Sequence, residues 1–223
     1  MDILSSYLER VRFFLGKKGY LLAKTGDPKI EKLGDNVIKA TVPIEEGARY
    51  RIGQIMVRNA NVLSFAEIVE ISGLRQGDLI NAADIQERIF KGISDQYADR
   101  GYIQASVDFI PDFKLAHPLA SEGIVDVTLE IDEGRQFFVG YIDFDGELSK
   151  KVKANKQTLL DCLLLKEGDV YSRQLMKETL NNLNRLGLFE EIREKDAITR
   201  MSDGDSLLQI KIQVREIKPS SQQ

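Results

Sequence analysis

A stretch of this chain occurs twice, and the spacing of the copies restricts the fold more than any other feature. Arg-Ile-Gly-Gln-Ile-Met-Val at 51–57 matches Phe-Val-Gly-Tyr-Ile-Asp-Phe at 138–144, which sets Gly53 against Gly140 at an offset of 87. Leu-Arg-Gln-Gly-Asp-Leu-Ile-Asn at 74–81 matches Leu-Lys-Glu-Gly-Asp-Val-Tyr-Ser at 165–172 at an offset of 91. A glycine followed by an aromatic or apolar residue recurs at Gly19-Tyr20, Gly101-Tyr102 and Gly187-Leu188. Glu45-Glu46-Gly47 and Asp132-Glu133-Gly134 each stand just before a copy. A period of about 85–90 residues is too long for a solenoid turn and suits a small domain.

Both copies read alike in periodicity. Each opens with a short strand, 50–58 or 137–145, rich in β-branched and aromatic residues. A helix follows: Ser64 and Glu67 form a capping box ahead of Ile68 and Ile71, and Asn155 caps the run that holds Leu159 and Cys162. Gly77 and Gly168 are expected to end it. Asn81 and Ser172 cap a second helix, whose apolar stripe in the middle unit is Ile85, Ile89, Ile93 and Tyr97. Gly77 to Gly101 is 24 residues and Gly168 to Gly187 is 19, so the middle unit's second helix should be about a turn longer.

Two strands close each unit. In the last strand Val125, Val127, Leu129 and Ile131 alternate with Asp126, Thr128, Glu130 and Asp132. Leu208, Ile210, Ile212 and Val214 repeat that alternation, as do Ile38, Ala40, Val42 and Ile44. Half-polar strands belong to a sheet with helices on one face and water on the other. The order is β-α-α-β-β, a two-layer α+β fold. Asp112–Gly123, with His117 and Pro118, reads as an elongated hairpin loop.

Three units result: 1–47, 48–134 and 135–218. The first is incomplete, because Ile3 to Gly19 aligns with the second helix of the middle unit at an offset of 82. The chain therefore reads as part of a longer protein. Without an opening strand and first helix, Ile3, Tyr7, Val11 and Phe14 should be exposed, and self-association through 1–44 is expected. Links such as Glu133-Gly134-Arg135 are short, which predicts a semi-rigid array.

Composition excludes several functions. The chain has 223 residues, 43% hydrophobic and 30% charged, enough for packed cores. Its 31 Lys and Arg against 35 Asp and Glu leave a formal charge of −4, which disfavours nucleic acid as a partner. One cysteine and one histidine support neither an internal disulfide nor a zinc cluster. No apolar run approaches the length of a membrane-spanning helix, and the charged first 18 residues do not form a secretion signal. Cys162 takes the place of Ile71 on the first helix, so it reads as a buried, inert thiol. The pairs Glu45-Glu46 and Asp132-Glu133 fall at turns, as solvated charge. No catalytic group, metal site, cofactor motif or phosphate loop emerges, and the chain reads as no enzyme.

The residues that carry the repeat resemble the POTRA (polypeptide-transport-associated) domains of BamA-type outer-membrane assembly factors, the surface antigen family. The carriers are Tyr50-x-Ile52-Gly53-x-Ile55, Gly77-Asp78, Tyr97-x-x-x-Gly101-Tyr102, Asp132-Glu133-Gly134 and Gly168-Asp169-x-Tyr171-Ser172. Leu183-Asn184-Arg185-Leu186-Gly187-Leu188-Phe189-Glu190 is similar to the barrel-proximal unit of that family. The resemblance implies three-stranded mixed sheets with two helices on one face, the last strand central and the opening and fourth elements at the edges. It also implies a periplasmic array that is tethered to the outer membrane by a barrel outside this chain. Such an array receives unfolded outer-membrane β-barrel proteins and docks accessory lipoproteins. Alternatives are a two-partner-secretion or translocation-type transporter, or a passive structural spacer.

An exposed sheet edge presents unpaired N–H and C=O groups to which an extended peptide can add a strand. The candidate peptide-binding edge is Tyr102, Ile103, Gln104, Ala105, Ser106, Val107, Asp108 and Phe109, running to Ile110 and closed by Pro111. The corresponding edge of the third unit, 188–196, carries charges that protect it and ranks second.

Overall fold

The computed structural model describes residues 3–34, 37–146, 156–201 and 204–217. They form two compact units, one of Met1–Ser94 with Ser106–Asp132 and one of Asp95–Ala105 with Glu133–Gln223.

The first unit begins with helix α1 (Ile3–Gly16), the short strand β1 (Lys24–Thr25), the hairpin of β2 (Lys29–Gly34) and β3 (Val37–Thr41), and β4 (Ile44–Glu45), which pairs with β1. Then come β5 (Arg49–Arg58) and α2 (Phe65–Ser72). Helix α3 (Ala82–Asp84) runs without a break into a π-helical stretch, Ile85–Ile93, and on into α4 (Ser94–Ala98), whose residues from Asp95 onward count with the second unit. Strands β6 (Ser106–Leu115) and β7 (Glu122–Asp132) complete a sheet of order β5-β7-β6, with β7 parallel to β5 and antiparallel to β6. The last strand is central, as the resemblance implied.

Local chemistry explains these elements. Ser64 accepts the Glu67 N–H while Glu67 accepts the Ser64 N–H, a complete capping box at the start of α2. Asn81 caps α3 through the Ala83 N–H. The apolar stripe at 85, 89, 93 and 97 would drift about 40° per step round an α-helix. This stretch is π-helical instead, and its Ile89 and Ile93 are fully buried. Tyr50, Ile52, Leu63, Ile68, Ile80, Val125, Val127 and Leu129 make up much of the rest of this core.

Helix α2 ends at Gly73, not at Gly77. Gly73 takes a left-handed conformation (φ 66°), and its N–H donates to the Val69 and Glu70 carbonyls. Gly77 is freed for another task, as is Gly168. The Gly77 N–H donates to the Ile52 carbonyl and the Ile52 N–H to the Asp78 carbonyl; Gly168, Val139 and Asp169 repeat this at 2.8 Å in the second unit. The Gly-Asp motifs thus fold back along the opening strands. At the start of each strand the chain also donates to an earlier glycine: the Tyr50 N–H to the Gly19 carbonyl at 3.1 Å in the first unit, and the Phe137 N–H, just ahead of β8, to the Gly101 carbonyl at 2.9 Å in the second.

The second unit contains β8 (Phe138–Asp145), α5 (Lys156–Asp161), α6 (Arg173–Arg185), β9 (Ala197–Met201) and β10 (Leu207–Gln213), with sheet order β8-β10-β9. Its core gathers Phe137, Val139, Leu159, Leu165, Leu183, Phe189, Leu208, Ile210 and Ile212, with Ile103 packed against them. Ser172 caps α6 through the Leu175 N–H. Asn155, read as the cap of α5, lies outside the described residues, as does the side chain of Ile3.

Gly53 and Gly140 sit at bulges, where the parallel pairing steps from Ile52 to Ile55 and from Val139 to Tyr141. The extra residue flips the pleat, so Ile52 faces the core on one side of the bulge and Ile55 and Val57 do so on the other.

Two strand boundaries differ from the sequence expectation. Residues 112–115 continue β6 in register with β7, leaving only 116–121 as the hairpin loop. In the second unit the fourth element is β9, not 188–196. Asn184 holds the Ile192 main chain there, accepting its N–H at 2.8 Å and donating to its carbonyl at 2.9 Å. A short 3₁₀ turn at Glu194–Asp196 then precedes the strand.

Candidate functional site

Strand β6 is an edge strand ten residues long. Its inward side chains, Val107, Phe109, Pro111 and Phe113, are buried or half-buried, while Asp108, Ile110, Asp112 and Lys114 are exposed. The structure divides the predicted binding residues. Ser106, Val107, Asp108 and Phe109 lie on β6, facing Asp132, Ile131, Glu130 and Leu129 of β7. Tyr102, Ile103, Gln104 and Ala105 form a turn instead: the Ala105 N–H donates to Tyr102, and the Tyr102 ring meets Tyr97 edge to face at 6.2 Å. Those four belong to the second compact unit. Ile103 is drawn from the strand by its packing on that core.

Pro111 does not close the strand. It stands in register opposite Val127, with paired residues on either side. Proline is tolerated within a sheet only where its nitrogen faces away from the partner strand. Main-chain direction alternates, so Val107, Phe109, Phe113 and Leu115 present both N–H and C=O to the open side, and Pro111 presents only C=O. The open edge is therefore two donor-bearing segments with one donor missing between them. Sequence reasoning missed Pro111–Leu115 by taking proline as a stop; the alternation of Asp112, Phe113, Lys114 and Leu115 was the signal available.

The solvent face of this sheet carries a charged cluster that joins its strands. Asp126, on the central strand, accepts the Gln54 N–H at 2.6 Å at the bulge and receives Lys114 of β6 on its other oxygen. The Lys114 hydrogen bond, then the Gln54 amide, hold the Asp126 carboxyl below the usual carboxylate range. Asp126, followed by Asp112, pushes Lys114 up. One carboxylate thus ties together all three strands. Toward the hairpin tip Leu115 and Ile124 are exposed beside Arg51 and Glu122, which form an ion pair at 3.4 Å. Tyr50 and Phe113 stack edge to face behind them at 4.6 Å.

The opening strands offer less edge, because the Gly-Asp segments occupy their first halves. In β8 the Asp143 carboxylate also takes the Phe144 N–H at 2.9 Å. Cys162 is buried, its thiol pushed up by desolvation and donating to the Thr158 carbonyl at 3.3 Å. His117 is exposed in the hairpin loop. Glu133 accepts the Tyr97 hydroxyl at 2.9 Å, a structural contact. No helix among the described residues is long and apolar enough to cross a membrane.

Comparison with known proteins agrees with this architecture. The chain is 23% identical over 201 residues to the outer membrane protein assembly factor BamA of Nitratidesulfovibrio vulgaris, a match covering 89% of this chain and 24% of that protein. It is 25% identical over 169 residues to BamA of Neisseria meningitidis serogroup B, covering 72% of this chain and 20% of that one. The chain thus spans about a fifth to a quarter of these relatives' length. The crystal structure of Haemophilus influenzae BamA POTRA3-5 superposes with a TM-score of 0.73 at 23% identity, over 96% of this chain and 81% of that one. The family model POTRA, surface antigen variable number repeat, matches residues 50–134 and 137–216. With two matched repeats that fold as the repeat itself requires, the chain belongs to the POTRA family.

Proposed function

We propose that this chain is a periplasmic, client-receiving segment of a BamA-type outer-membrane assembly factor. It binds unfolded outer-membrane β-barrel proteins by strand addition along β6, and accessory lipoproteins dock elsewhere on the array. The observation that supports the reading best is the open edge of β6, ten residues long and, among the described residues, unpaired on one side in a sheet whose other edge is half-closed by its own main chain. Main-chain bonds are nearly blind to side chains, which suits a receptor for many clients. The relatives named as outer membrane assembly factors support the same class of role.

Affinity will be low, since one added strand must offset the ordering entropy of the peptide. An amide-shift NMR titration with an extended peptide from an outer-membrane β-strand tests the reading, with scrambled and proline-substituted peptides as controls. Shifts confined to Ser106–Leu115 and lost with proline are expected. No shifts at millimolar peptide would replace the reading with that of a structural spacer.

A further inference from the structure

A strand laid along the open edge of β6 meets the side chains of that strand in a fixed order, and their charges are uneven. The main-chain groups of Val107, Phe109, Phe113 and Leu115 face the open side, so an antiparallel newcomer exchanges hydrogen bonds with those residues. It stands opposite Asp108, Ile110, Asp112 and Lys114 in the pairs between. Side chains lie closest in such non-hydrogen-bonded pairs, with Cα atoms about 4.5 Å apart against about 5.5 Å in the others. The solvent-face residues of β6 therefore do most to discriminate between incoming strands.

Two of these positions set a carboxylate directly opposite another carboxylate of β7: Asp108 faces Glu130, and Asp112 faces Asp126. Like charges so placed repel. The fold relieves the second pair itself, because Lys114 lies 3.4 Å from Asp112 and also bonds Asp126. Nothing equivalent serves the first pair. Among the described residues the exposed Asp108 carboxylate has no hydrogen bond or ion pair, and Glu130 takes only the Asn59 amide at 3.2 Å. Ile110 stands between the two pairs, opposite Thr128 and 44% exposed. The edge strand of the second unit differs: β9 carries Arg200 and no carboxylate.

We propose that the β6 edge selects its strands by charge and direction: it takes, antiparallel, an extended segment whose outer face reads apolar-x-basic from N to C. The apolar side chain lies beside Ile110 and the lysine or arginine beside Asp108. This rests on the strand-addition reading above and gives it a register, a direction and a preferred chemistry. The incoming cation does for Asp108 and Glu130 what Lys114 does for Asp112 and Asp126. Antiparallel addition is the more stable of the two directions, and it is the one that places the apolar residue before the basic one.

Three synthetic peptides test it. Each alternates valine with threonine, and two successive outer threonines are replaced: by isoleucine then lysine, by isoleucine then glutamate, or by lysine then isoleucine. Binding to the whole chain and to its Asp108→Lys variant is read from amide shifts at 106–115, at low and at high salt. At low salt the isoleucine–lysine peptide should bind about two- to fivefold more tightly than the isoleucine–glutamate peptide, the range that one cross-strand ion pair supplies. It should also bind more tightly than the reversed peptide. Salt should narrow the first gap, and Asp108→Lys should invert it. Equal affinity of the lysine and glutamate peptides, equal affinity of the reversed one, or a lysine preference that survives Asp108→Lys would overturn the selection while leaving strand addition intact. Shifts at 106–115 with none of the three would overturn strand addition along β6, and the selection with it.

Discussion

The Gln54 main-chain N–H donates to the Asp126 carboxylate at 2.6 Å, across the bulge that Gly53 makes in β5. Because Lys114 takes the other oxygen, the same carboxylate reaches the opposite edge strand. A bulge that bends one strand is thereby tied to both others, and the tie depends on charge.

Acid should loosen it. The folded Asp126 titrates below its unfolded value of about 3.9, so its contribution to stability is complete above that pH and is lost as pH falls through the folded value. Lys114, raised in the fold, contributes fully below its unfolded value of about 10.4 and loses the contribution as pH rises through the folded one. Asp126→Asn should lower the thermal midpoint at pH 7 and flatten its decline below pH 4. Parallel midpoint curves for the two proteins would contradict this.

Substitution at the bulge should be worse than at a turn. A Cβ on Gly53 would overlap the Asp126 Oδ1 and Ile124 side-chain atoms, whereas one on Gly77 meets nothing within 4 Å and suffers only from its φ of 89°. Gly53→Ala should cost about 1–3 kcal/mol in urea unfolding and erase the acid-dependent step. Gly77→Ala should keep the step.

Asn184 clamps both main-chain groups of Ile192, a buried residue of the second core. Asn184→Ala leaves those groups without partners and should cost about 1–3 kcal/mol. Asn184→Asp retains the acceptor, so its loss should be smaller. Equal unfolding midpoints for the two variants would remove the clamp from the account.

Restoring a donor to the open edge should make it more adhesive. Pro111→Val adds an outward N–H between those of Phe109 and Phe113. The variant should bind strand peptides more tightly, or self-associate at lower concentration, by light scattering and NMR titration. Unchanged binding and association would mean that β6 does not pair with partners along its length.

The β2–β3 ribbon should be the least protected part of the first unit. All its described side chains are exposed, Leu33 and Ile38 each at 64%, whereas those of Val125 and Val127 are fully buried. Isolated two-stranded ribbons are marginal in water. Hydrogen exchange should find 29–41 opening far more readily than β7, with concentration-dependent association through the first 44 residues. A monomer equally protected in both places would refute it.

Features set by neighbouring residues are legible in the sequence itself: the Ser64 box, the Asn81 and Ser172 caps, and the bulge glycines. The strand order came from the family resemblance, not from any residue. What stayed hidden depended on distant partners. Gly73 and Gly77 both have positive φ, and only the Ile52 carbonyl, a strand away, shows that Gly77 serves β5 and not the helix end. Pro111 looks like a stop unless β7 is known to lie on its other side. Residues 188–196 look like one strand, yet only Phe189 bridges, to Glu216, before Asn184 holds Ile192. Half of the candidate edge was legible for the same reason: 106–109 alternate and obey the alternation, while 102–105 alternate and are pulled away by the second core.

The bonds from Tyr50 to Gly19 and from Phe137 to Gly101 run main chain to main chain. Each opening strand takes its acceptor from the glycine that follows the second helix of the preceding copy, so a segment of one full period carries such an acceptor within it. The main-chain part of each junction therefore does not depend on which side chains flank it.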